Sequence, residues 1–206
     1  NIFFMLYIIF MQITKYNSPN FDKNPRSIKE IQTIIIHYTG MQSERESLKR
    51  LCDPKFKVSC HYLINRKGKI YRIVNDFNIA WHAGKSKWKE KKNLNKNSIG
   101  IELVNKGHKY GYQSFPKKQI NSLINLCRKL KKKFNIKDRQ ILGHSDIAPN
   151  RKIDPGEKFP WKYLSKKGVG FYPFAKQTIS KFKIRKKKSL KNFKKNLKIL
   201  GYCYMN

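Results

Sequence analysis

The stretch Thr33-Ile34-Ile35-Ile36 constrains the fold more than any other part of the chain. Four β-branched residues in a row lose rotamer freedom in a helix but pack well on a pleated surface, and a strand without polar alternation is covered on both faces. The run therefore predicts a central strand in a layered domain, with His37 emerging at its end.

Other segments supply partners for that strand. Residues 60–66 and 69–74 are β-rich and flank Lys67-Gly68, which predicts a hairpin. Ser98–Val104 (SIGIELV) alternates so that Ile99, Ile101 and Leu103 face one way and Gly100, Glu102 and Val104 the other. Pro116 opens a helix whose apolar residues Ile120, Leu123, Ile124, Cys127, Leu130 and Phe134 recur at three- and four-residue steps. Residues 140–142 form a short strand delivering Gly143-His144, and the Pro- and charge-rich loop SDIAPNRKIDPGEKFPW is expected to lack regular structure. The sum is an α/β domain with a single mixed central β-sheet flanked by helices, and 206 residues suffice for one such domain plus a short appendage.

The ends differ in character. Ile2–Met11 is a continuous apolar run, too short to span a bilayer, and reads as an export signal followed by a polar linker through Ser27. Residues 28–175 are expected to form the main folded domain and 176–206 a basic tail, with a last helix over Ser189–Leu200 capped by Ser189 and stopped by Gly201. The four cysteines have wide, irregular spacing; Cys52 and Cys60 bridging is an alternative to four free thiols, the expected state.

Charge demands an explanation, because 47 Lys+Arg against 12 Asp+Glu leave a net +35. The excess is spread along the chain beside many Asn and Ile residues rather than gathered in a nucleic-acid motif, so no specific nucleic-acid partner is expected. Electrostatic association of a monomeric protein with anionic envelope polymers is.

Candidate chemistry gathers at strand ends. His37 and His144 each close an apolar strand, where a loop begins and ligands bind. Ten residues beyond His144, Asp154 sits in an Asp-Pro-Gly turn within reach of the loop's start. A lone strand-end histidine is more often a hydrogen-bonded surface residue, and Asp before Pro-Gly is a good turn residue in its own right. As a set, two imidazoles and one carboxylate are three ligands for Zn²⁺ with a fourth position open, the pattern of a catalytic site. Glu102, among small or apolar neighbours, is costly to bury without a cation or a catalytic role.

The segments IIIHYTG, VSCHYLINRKGKIYRIV, AWHAGKSKW, NSIGIELVN and GHSDIAPNRKIDPGEKFPW, in this order, resemble the zinc-dependent N-acetylmuramoyl-L-alanine amidases of the AmpD and AmiD type, the amidase-2 family, strongly from Gln32 to Trp161. The weaker GVGFYP match favours the AmiD branch. The resemblance implies a peptidoglycan-recognition-protein-like fold, a peptidoglycan or muropeptide substrate, and a place in the periplasm or at the outer membrane. It implies Zn²⁺ held by His37, His144 and Asp154, with Glu102 as the catalytic carboxylate and Lys152 stabilising the oxyanion. Trp81, His82, Ala83, Gly84 and Asn95 match blocks that line the family's cleft. Cys60 stands where the phage-lysozyme branch has Tyr, so the branch using the glutamate is the one resembled. Relatives of the same fold that bind peptidoglycan without cleaving it lose the final ligand, which Asp154 supplies here. The run SLKNFKKNLKILGYCYMN resembles only the beginning of the helical wall-binding module of AmiD-type proteins.

Overall fold

The Thr33–Ile36 run forms an interior strand, one in from the edge, of a six-stranded sheet in the computed structural model, which describes residues 12–172 and 187–203. The chain order is β1 (Ile13–Lys15), β2 (Phe21–Asp22), β3 (Thr33–Tyr38), α1 (Glu44–Cys52), β4 (Tyr62–Ile64), β5 (Ile70–Arg72), β6 (Ile79–Ala80), β7 (Lys87–Trp88), β8 (Lys91–Lys92), β9 (Ser98–Leu103), α2 (Lys117–Phe134), β10 (Ile141–Gly143), α3 (His144–Ile147), α4 (Trp161–Lys166) and α5 (Lys187–Leu200). The main sheet runs β1-β5-β4-β9-β3-β10. β4, β9, β3 and β10 are mutually parallel, whereas the β4–β5 hairpin is antiparallel, so the sheet is mixed as expected. Four parallel strands bring four C-terminal ends to one lip of the sheet, and the candidate residues sit there.

Side-chain alternation divides the core. Ile34, Ile36, Ile99, Ile101 and Leu103 pack with the apolar stripe of α2, including Ile120, Leu123, Cys127 and Leu130. Ile35 in β3 and Val104, just beyond β9, face the other side, where Ile35 joins Ala83, Leu94, Leu142 and Ile147. All these residues are buried, and each such aliphatic side chain contributes about 1.5–3 kcal/mol through water exclusion. That second face is roofed by the segment between β6 and β9, leaving its upper end to the polar site.

Several expectations need correction. The polar stretch before Ser27, read as a linker, is built into the fold: β1 pairs with β5, and Ser18, Asn20 and Arg26 are buried. Their burial depends on partners from 33 to 72 residues away, which local polarity does not reveal. The loop after β10 starts with a helical turn, α3, because the Asp146 carboxylate accepts the Gly143 amide at 2.7 Å and closes the turn. α5 begins at Lys187, which places Ser189 inside the helix rather than at its cap, although Gly201 does end it at φ 129°. The four cysteines are free. The signal-like segment Ile2–Met11 lies outside the described residues, as does most of the stretch joining α4 to α5. No helix among the described residues is long and apolar enough to cross a membrane.

Candidate metal centre and active site

β3 carries His37 near its C-terminal end, and β10 hands the chain directly to His144. The loop beyond α3 folds back, its Asp154 carbonyl accepting the Ser145 amide at 2.9 Å. Gly143 permits that return, since a Cβ there would lie 2.8 Å from Pro155 Cδ. The Nδ1 atoms of His37 and His144 are consequently 2.9 Å apart, and each lies 3.1 Å from Asp154 Oδ2.

This near-equilateral triangle of buried donors fits a metal ion. Donors on a tetrahedral ion with bonds of 2.0–2.1 Å stand about 3.3 Å apart, close to the separations here. The donor set is also right, two imidazole nitrogens and a carboxylate oxygen, three of the four ligands a tetrahedral ion takes. Burial, then the charge of His144, holds His37 down to about 4, against the pull of Asp154. Burial pushes Asp154 up, but the neighbouring His144 and His37 rings outweigh it and keep the carboxyl well below its usual range.

Glu102 stands beside His37 on the neighbouring strand, in register with it. The residue is half-buried, yet its Oε2 is shut off from solvent and has no hydrogen-bond partner among the described residues. Burial, reinforced by the negative charge of Asp154 and opposed by Lys152, lifts its carboxyl to about 8. Lys152 makes no ion pair among the described residues, and its charge is felt by both Glu102 and His37. The Cys60 thiol is buried and directed at the Tyr62 carbonyl at 3.2 Å, so it offers the site no substitute for a tyrosine hydroxyl.

The residues expected to contact substrate divide into two groups. Trp81 is half-buried and donates from Nε1 to Asp22 at 2.7 Å, and Gly84 is exposed with φ 55° against the Arg151 guanidinium. His82 and Ala83 are buried behind the ligands. His82 Nδ1 lies 3.0 Å from His37 Nε2, and the Ala83 carbonyl lies 3.2 Å from His144 Nε2. Asn95 likewise turns its Oδ1 inward, accepting the His82 and Ala83 amides at 3.1 and 2.7 Å.

Sequence reasoning missed Arg26, which donates to the carbonyls of Asn95, Lys96 and Ser98 and lies 2.8 Å from His61 Nε2. Burial lowers its guanidinium to about 10. Arg151, which donates to the Ala83 and Lys85 carbonyls, was missed as well. At the rim His108 bridges Tyr38 and Glu157 at 2.9 Å each, tying the segments that carry His37 and Asp154 together. No motif marks these residues; only the position of Arg151, next to Lys152 in a site loop, hinted at a role.

The fold thus brings a His-His-Asp donor cluster and a strand-borne glutamate to one lip of a six-stranded mixed sheet. The family model for N-acetylmuramoyl-L-alanine amidase (Amidase_2) matches residues 27–157, and the chain belongs to that family. It is 39% identical over 160 residues to N-acetylmuramoyl-L-alanine amidase AmiD of Escherichia coli, covering 71% of this chain and 56% of that protein. Over 167 residues it is 36% identical to the 1,6-anhydro-N-acetylmuramyl-L-alanine amidase AmpD of Haemophilus influenzae, covering 72% of this chain and 88% of that protein. The chain thus spans a little over half the length of AmiD. The solved complex of E. coli AmiD with anhydro-N-acetylmuramic acid-L-Ala-D-γ-Glu-L-Lys superposes with a TM-score of 0.71 at 30% identity, covering 89% of this chain and 76% of that one. AmpDh3 of Pseudomonas aeruginosa with anhydromuramic pentapeptide gives 0.72 at 28% identity, covering 86% and 76%.

Proposed function

We propose that this protein hydrolyses the amide bond between N-acetylmuramic acid, or its anhydro form, and the L-alanine of the stem peptide. The observation that carries the reading is the donor triangle of His37, His144 and Asp154 with the Glu102 carboxyl next to it. Family membership and the muropeptide complexes of AmiD and AmpDh3 support it.

His37, His144 and Asp154 would hold Zn²⁺, which supplies Lewis acidity toward the scissile carbonyl and acidifies the attacking water. Glu102 takes a proton from that water as its oxygen bonds to the lactyl carbonyl carbon. It then gives the proton to the alanine nitrogen as the C–N bond breaks, leaving a carboxylic acid and a free amine. A carboxyl held near the working pH is suited to both transfers. Lys152, whose charge is felt at Glu102 and His37, would stabilise the carbonyl oxygen as it becomes anionic. Burial of His37, His144 and Asp154 keeps the three donors out of bulk solvent.

The signal-like Ile2–Met11 segment and the net charge of +35 support action in the periplasm or at the outer membrane, close to anionic polymers. The test is mass spectrometry of muropeptides incubated with the protein, with and without a zinc chelator. Release of stem peptide, abolished by the chelator and restored by zinc, is the expected result; intact muropeptide in zinc-loaded samples refutes the reading.

A further inference from the structure

The two ligand histidines are supported by adjacent residues. His37 points its Nε2 at His82 Nδ1, 3.0 Å away, and His144 points its Nε2 at the carbonyl oxygen of Ala83, 3.2 Å away. Both amide groups of this dipeptide are held by one atom, Asn95 Oδ1.

Hydrogen-bond polarity then assigns the protons. Ser98 Oγ donates its hydrogen to the Leu94 carbonyl at 2.6 Å, so toward His82 Nε2, at 3.2 Å, it can only accept. His82 therefore carries its proton on Nε2. Buried and with no carboxylate bonded to it among the described residues, it is neutral, and its Nδ1 is an acceptor. His37 must then donate from Nε2, which leaves its Nδ1 bare. The Ala83 carbonyl has no proton to give, so His144 donates from Nε2 and its Nδ1 is bare too. The Arg151 guanidinium also approaches His144 Nε2, at 3.4 Å, but it is already committed to the carbonyls of Ala83 and Lys85. Both bare nitrogens belong to the 2.9 Å Nδ1 pair of the triangle.

We propose that Asn95 is a positioning residue for the metal centre: by gripping the His82 and Ala83 amides it aims one acceptor at each ligand ring and holds both imidazoles with Nε2 protonated and Nδ1 free for the metal. Arg26 steadies the grip, since its guanidinium binds the carbonyls of Asn95, Lys96 and Ser98. The inference deepens the metal reading above and rests on it, but the tautomers are read in metal-free protein, where Asp154 Oδ2, 3.1 Å from each Nδ1, pulls toward the opposite tautomer and is what the two acceptors held by Asn95 must outweigh.

The test compares full-length wild type with Asn95→Leu, which keeps the volume without the acceptor, and Asn95→Asp, which restores an acceptor oxygen. Long-range ¹H–¹⁵N spectra of metal-free protein report the tautomer of each ring, and competition with a chromophoric chelator gives the zinc affinity. Wild type and Asn95→Asp should show Nε2–H on both ligand rings, while Asn95→Leu should mix tautomers on both and bind zinc roughly 10–100-fold more weakly, the range seen when such outer partners are removed. If Asn95→Leu fails to fold, His82→Phe carries the test: it should release the His37 tautomer alone and leave that of His144 unchanged. Asn95→Leu with wild-type tautomers and zinc affinity overturns the proposal, as does a His82→Phe protein whose His37 tautomer is unmoved. Wild type that shows the assigned tautomers but takes up no zinc sinks the metal reading and leaves the positioning role intact.

Discussion

Glu102 separates chemistry from metal binding, because it lies beside the donor triangle without belonging to it. Glu102→Gln should keep zinc and lose turnover by roughly 10²–10⁴-fold, the usual range for a general acid–base residue; His144→Ala should lose both, and metal analysis alongside the muropeptide assay distinguishes them. The same carboxyl leaves a mark on stability. Its folded value of about 8 lies above the ordinary 4.5, so between those values the folded state keeps a proton that the unfolded chain has released. Metal-free protein therefore loses stability through this group as pH rises from about 4.5 to about 8, on the order of a few kcal/mol in total. His37, held down to about 4 from 6.5, works in the opposite direction at lower pH, so the difference between wild type and Glu102→Gln isolates the glutamate. Urea melts at pH 5 and pH 8 should show Glu102→Gln close to wild type at the lower pH and more stable than wild type at the higher, the gap widening as pH rises; a gap independent of pH contradicts it.

At the scale of elements, β9 is the most demanding strand. A Cβ on Gly100 would fall 2.4 Å from His82 Cγ, a clash inside a packed face. Gly100→Ala should cost about 1–3 kcal/mol in a denaturant titration, as overpacked cores do, and weaken zinc binding through the displaced His82 ring. α5 is held at its end by contacts of another kind. Tyr202, just beyond it, donates to Asp146 at 2.6 Å and packs edge-on against Trp88. Tyr202→Phe leaves that carboxylate oxygen short of a partner and should cost about 1 kcal/mol, read as a lower thermal midpoint. Much of this level was legible from periodicity. The alternation in Ser98–Leu103 correctly sent Ile99, Ile101 and Leu103 toward α2 and Glu102 toward the site, and the helix stripe from Ile120 to Phe134 is buried throughout. The ligand triangle was legible as three spaced residues because each ends a strand or a turn. What could not be read depends on contacts distant in sequence or on the main chain: the burial of Arg26, the pairing of β1 with β5, and the acceptor role of the Ala83 carbonyl, which no side chain announces. His82 and Asn95 were recognised by motif, but motif position does not say which way a group turns, and neither the burial of His82 nor the inward turn of Asn95 Oδ1 could be read from it.

For the whole molecule, the net charge of +35 acts at longer range than any single contact. Attraction to an anionic wall polymer is screened as the Debye length falls from about 10 Å at 0.1 M salt to about 3 Å at 1 M. Salt should therefore slow release of peptide from intact wall while leaving turnover of a small soluble muropeptide nearly constant, because chemistry at the buried triangle does not depend on distant lysines. Parallel rate measurements on the two substrates check this, and an equal loss on both would assign the salt effect to the site itself.

The in-register pairing of His37 with Glu102 across two parallel strands has a practical consequence. Shifting β9 by one residue against β3 would swap its two faces and bury the glutamate under α2. A slipped molecule keeps its strands and helices, looks normal by far-ultraviolet circular dichroism, and is catalytically silent. Specific activity of a refolded batch is thus a headcount of correctly zipped molecules.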